Sequence, residues 1–152
     1  MPSALVPLAN KTLTGVATSV TFSSISAGYR DYMVVCNNLG NGAVIQINGD
    51  TASNYSMVSM RGNGTSAESN SLTNNSIYTY WDNANDVVIA HFLDASATDK
   101  HKPVLIRSGQ ASGSTTAWAA RWANTSAITS ISFINNSNFS SGASFALYGV
   151  TS

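Results

Sequence analysis

The sequence predicts an all-β fold, a single antiparallel β-sandwich of jelly-roll type, and three observations carry that prediction. Ser, Thr and Asn make up roughly a third of the 152 residues, far above ordinary usage. These side chains bond to their own backbone and disfavour helix interiors, while Thr suits strands and Asn and Ser suit turns. The residues that fill exposed helices are scarce: Glu occurs once, at Glu68, and charged residues are 9% of the chain, against about 25% in an ordinary domain. Apolar residues recur in short runs with a two-residue period, broken by turn signals.

Taken in order, the elements read as follows. Residues 1–10 form an extended N-terminal arm, and residues 11–152 form the sandwich. Thr12-Leu13-Thr14 and Ser19-Val20-Thr21-Phe22-Ser23 alternate, interrupted by Gly15. Tyr32-Met33-Val34-Val35-Cys36 is continuously apolar and reads as a central strand. Asn41-Gly42 and Asn48-Gly49 are tight-turn pairs that bracket Ala43-Val44-Ile45-Gln46-Ile47. Residues 55–60 are a further strand. Residues 61–75, rich in Gly, Ser and Asn, read as the longest loop. Strands follow at residues 77–81, 87–93, 103–107 and 117–122, then a run at 127–134. The polar patch Asn135-Asn136-Ser137-Asn138 separates that run from a last one at 139–150. There Phe145, Leu147 and Gly149 share one face and Ala146, Tyr148 and Val150 the other. Val20, Phe22, Val34, Cys36, Ile45, Ile47, Ile131, Phe133, Phe145 and Leu147 are the expected core.

Charge narrows the function classes. Seven Lys+Arg balance seven Asp+Glu, so no basic field collects phosphates and no polybasic run suits an anionic membrane. A neutral, hydroxyl-rich surface favours association with neighbouring copies. The single cysteine, Cys36, reads as a small buried hydrophobe, in keeping with a reducing cytoplasm. The start Met1-Pro2-Ser3-Ala4-Leu5-Val6-Pro7-Leu8 lacks the basic head and long apolar stretch of a signal peptide.

Tests for chemistry return little. Asp82-Asn83-Ala84-Asn85-Asp86 misses the third ligand, the glycine and the closing Glu of a helix-loop-helix calcium loop. His91 reads as an interior or interface histidine, and His101 lies in the charged turn Asp99-Lys100-His101-Lys102. Neither has a partner at zinc-ligand spacing. No serine sits in a nucleophile elbow, and Gly62-Asn63-Gly64 lacks the lysine and helix of a phosphate loop. The sequence therefore predicts no enzyme, no metal and no cofactor. Trp118 and Trp122 read as core. Tyr80, Trp81 and Asp82, at a strand end, are the candidates for a surface aromatic site that stacks on sugar rings.

Four phrases resemble a family of small β-sandwich virion proteins of tailed bacteriophages, found as head decoration (cement) proteins and as tail or fibre modules. They are Ser19 to Ile25 with Tyr29-Arg30-Asp31-Tyr32, Ile47-Asn48-Gly49-Asp50 with Asn54-Tyr55-Ser56, Thr125 to Ile131, and Gly142-Ala143-Ser144-Phe145-Ala146-Leu147-Tyr148-Gly149-Val150. The resemblance implies a non-enzymatic structural protein made in the host cytoplasm and placed on the outer surface of the capsid. Its expected partners are the major capsid protein and itself, as a homotrimer. A fibre carries a stalk beside its tip, and this chain reads as the module alone, which favours the head. The apolar residues Leu5, Val6, Pro7 and Leu8 of the arm are the expected capsid or subunit contacts. The alternative is a tail or fibre component that binds host glycans through Tyr80, Trp81 and Asp82.

Overall fold

The computed structural model describes residues 5–40, 42–79, 87–109 and 113–151. Among them there is no helix. Twelve strands form: β1 (Leu5–Thr12), β2 (Ala17–Phe22), β3 (Asp31–Asn37), β4 (Val44–Ile47), β5 (Tyr55–Gly62), β6 (Ala67–Asn74), β7 (Ile77–Tyr78), β8 (Val87–Phe92), β9 (Lys102–Gly109), β10 (Thr115–Trp122), β11 (Ile131–Phe139) and β12 (Ser144–Val150). All pairings are antiparallel. They build an eight-stranded sheet in the order β1-β12-β3-β8-β9-β10-β5-β6 and a four-stranded sheet in the order β2-β11-β4-β7. The all-β sandwich expected from the sequence is what forms.

The core lies between the sheets, and all ten expected core residues are buried in it. Alternation is the cause: β9 and β12 bury every second residue, as a sheet with one covered face must. Phe145 is the hub, 5.6 Å from the ring of Phe133 and 5.1 Å, edge to face, from that of Phe139. Cys36 is fully buried, and burial pushes its thiol far up from the ordinary range.

Several elements differ from the sequence reading. Residues 5–10 are extended, but from Leu5 onward they are paired with β12 as the edge of the large sheet, so the arm continues into β1. Residues 67–74, read as loop, are β6, an unbroken antiparallel partner of β5. The hairpin signal was Asn63-Gly64. Gly64 takes φ +86°, and Asn63 Oδ1 accepts from the Thr65 and Ser66 N–H groups at 3.0 and 2.7 Å. The patch at 135–138 lies inside β11, where the register with β2 shifts between Ile134 and Phe139. It is a bulge rather than a break between strands, with the Ser137 N–H donating to Asn135 Oδ1 at 2.8 Å. The strand expected at 77–81 is confined to Ile77–Tyr78 within the described residues. Residues 127–130 are irregular, tied instead to the turn after β4.

Candidate interaction surface

Three of the four phrases named above meet at one end of the sandwich, where Phe22, Ile47 and Ile131 are aligned, and the fourth reaches that end only through Val150, the partner of Asp31. After β4 the chain reverses through Asn48 and Gly49, both at positive φ (54° and 68°), with the Asp50 N–H donating to the Ile47 carbonyl at 3.0 Å. The Asn48 side chain then reaches residues 127–130. Its Oδ1 accepts from the Thr129 and Ser130 N–H groups at 2.8 and 3.0 Å, and its Nδ2 donates to the Ala127 carbonyl at 2.8 Å. Asp50 Oδ2 accepts from Asn54 Nδ2 at 2.9 Å and from Trp122 Nε1 at 2.8 Å. Hydrogen bonds from Asn54 and Trp122 hold the Asp50 carboxyl below the usual range. Tyr55 on β5 bridges the sheets, its hydroxyl accepting from the Ile47 N–H of β4 at 3.0 Å.

The same end holds a buried charge. Asp31 opens β3 and is 1% exposed. Its Oδ2 accepts from Arg30 Nε and Nη2 at 3.0 and 2.7 Å, its Oδ1 from the Asp94 N–H at 2.8 Å, and His91 Nε2 stands 3.6 Å away. Burial alone would raise this carboxyl. The bonds from Arg30 and the Asp94 backbone, with the Arg30 charge, outweigh burial and leave it lowered. Lys102, read as part of an exposed charged turn, is buried. Its Nζ donates to the Lys100 and Thr125 carbonyls at 2.7 and 3.1 Å, and burial depresses its pKa. A lysine stem packs like an apolar residue once its ammonium finds carbonyls. His101 is exposed as expected. Asp31 and Lys102 thus have hydrogen-bond partners within the chain, and no cluster of three metal-ligating side chains occurs among the described residues.

The predicted site residues are spread apart. Leu5 and Pro7 are exposed on β1, while Val6 and Leu8 are half-buried and Leu8 packs against the core. Trp118 and Trp122 are core residues, and the Trp118 ring meets that of Tyr78 edge to face at 6.1 Å. Tyr80, Trp81 and Asp82 lie outside the described residues.

The surface that sequence reasoning missed is the outer face of the large sheet. The strand registers align two rows across it. One runs Tyr148, Met33, His91, Leu105, Ala119, Val58; the other Ala146, Val35, Ile89, Arg107, Ala117, Met60. Neither row holds a carboxylate. Leu105, Val58 and Met60 are 48%, 50% and 65% exposed. With strands about 4.8 Å apart and a two-residue repeat of about 6.7 Å, six strands and two rows cover about 400 Å². This footprint, mostly apolar but interrupted by His91 and Arg107, is of the size at which surface patches mark contact sites. The period-two pattern was visible in each strand, but only the pairing order brings the outward residues into one band. The chain matches no protein-family model, no curated protein and no solved structure.

Proposed function

We propose that this chain is a structural virion protein of a tailed bacteriophage, a decoration (cement) protein that binds the major capsid protein on the outer surface of the head. The observation that carries this reading is the largely apolar band of Leu105, Val58, Met60, Ile89 and Val35 around Arg107, on a chain of zero net charge. The resemblance of the four phrases supports it. In this reading the sandwich is a rigid block made in the host cytoplasm, and its output is contact rather than chemistry. Each contact is modest, but the copies act together over a repeating shell, because each one bound stabilises the assembled state it recognises. Self-association at the shell surface strengthens the effect.

Cryo-EM of intact particles tests the placement, with copies expected over the head. Density or immunogold label confined to the tail overturns it in favour of a host-binding tail component. The surface is tested by Leu105→Asp with Met60→Asp. Both side chains point to solvent in the isolated chain. The pair should abolish binding to undecorated heads while leaving the melting temperature nearly unchanged.

A further inference from the structure

The two edges of the eight-stranded sheet are built differently. Edge strands carry unpaired backbone N–H and C=O groups, and proteins blunt them with Pro, Lys and bulges. The β1 edge has all three: Pro7, Lys11 and a register shift between Pro7 and Ala9. The β6 edge has none. It runs eight residues in continuous register with β5, without Pro, Lys or bulge, and Glu68 is its one charge. Residues 67–71 of β6 are exposed at every position, on both faces of the strand.

We infer that β6 pairs antiparallel with β6 of a second copy of this chain, across a two-fold axis perpendicular to the sheet. The geometry of the strand fits that occupant. The Ser71 N–H is taken locally by Asn70 Oδ1 at 2.8 Å, which places it on the open side of the strand. Swinging that amide aside frees the N–H for a neighbouring strand. Backbone groups point to one side at alternate residues, so Ser69, Ser71 and Thr73 offer the open ladder.

A two-fold centred on Asn70 sets Glu68 against Leu72 and Ser69 against Ser71. One centred on Ser71 sets Glu68 against Asn74 and Ser69 against Thr73. Neither register opposes Glu68 to Glu68, so no like charges meet, and the chain's zero net charge adds no long-range repulsion.

The area of the outer band gives a second argument. One copy offers about 400 Å², half of the about 800 Å² per partner of a standard stable interface. A perpendicular two-fold keeps both outer faces on the same side of one continuous sheet, so the pair presents about 800 Å². The pairing itself does not depend on the virion reading; only the use of the doubled face does.

Sedimentation equilibrium of the whole chain should give a concentration-dependent mass approaching two chains. Ser71→Pro removes an open-side N–H and leaves the β5 ladder intact, so it should give a monomer with an unchanged circular dichroism spectrum. Ser69→Lys with Ser71→Lys is the second variant, which blocks the edge by charge and keeps every backbone donor, and it too should be monomeric. Asn70→Cys and Ser71→Cys, compared under oxidation, report the register by which one forms the cross-linked dimer. A monomer at the highest attainable concentration, a mass of three chains, or a dimer that survives the double-lysine variant overturns the proposal.

Discussion

Asp31, Gly149 and Trp122 show what single side chains do in this fold. Asp31 is a buried carboxylate held by Arg30 and the Asp94 N–H. Asp31→Ala strands Arg30 and an N–H donor and should cost about 2–3 kcal/mol in chemical denaturation. Its folded pKa, like that of Asp50, is lowered. The unfolded chain therefore binds more protons on acidification. The stabilisation is complete above the ordinary carboxylate range, about pH 4, and is lost as pH falls through the folded values. Thermal melts from about pH 6 down to about pH 2 should show this loss, and Asp31→Asn should flatten part of it. Gly149 faces the ring of Tyr29, and a Cβ there would clash with three of the ring's carbons. Gly149→Ala should destabilise by about 1–3 kcal/mol, and the double variant with Tyr29→Ala should recover part of that loss. Trp122→Phe removes one donor from Asp50 and leaves a cavity where the rest of the buried indole packed, and should cost about 2–4 kcal/mol. At this scale the sequence spoke clearly where alternation marks burial, as at Phe145 and Leu147. It misled at Lys102, because an ammonium that finds two carbonyls 2.7 and 3.1 Å away lets its stem lie inside.

Strands with one covered face were legible, and those without one were not. β9 alternates strictly and was found nearly whole, whereas β6 is polar at almost every position and carries no period to read. Its strand character comes from its pairing with β5, signalled only by Asn63-Gly64. The bulge in β11 hid in the same way: four polar residues look like a turn when the partner strand is unknown. The outer band was illegible for a related reason, since it depends on β8, β9, β10 and β5 lying side by side. β1 gives a prediction at this scale. Deleting residues 1–8 removes the Pro7 end of the strand and strips the partners of Tyr148, Gly149 and Val150. The shortened chain should melt several degrees lower, and it should aggregate more readily as the edge of β12 is uncovered.

The whole molecule is an unequal sandwich, a broad sheet of eight strands backed by a narrow one of four. β7, the two-residue strand, ends the narrow sheet, and its Tyr78 lies against Trp118 of β10 and Met57 of β5, so β6 is the edge strand beyond it. That asymmetry gives the chain one wide outward face and one open edge on a rigid frame, a form suited to tiling rather than to enclosing a ligand. The order of strands also sets the order of events in time. β12 lies between β1 and β3, so the first of these strands to be synthesised finds its place only when the last has left the ribosome. Until then β3 has one neighbour and β1 has none. Closure of the large sheet thus waits until residues 144–150 have emerged, and pairing between strands so far apart in sequence makes folding slow, in the milliseconds-to-seconds range of all-β domains. A ribosome-stalled chain that ends before β12 should remain protease-sensitive throughout β1, and protection should appear in a single step once residues 144–150 are released.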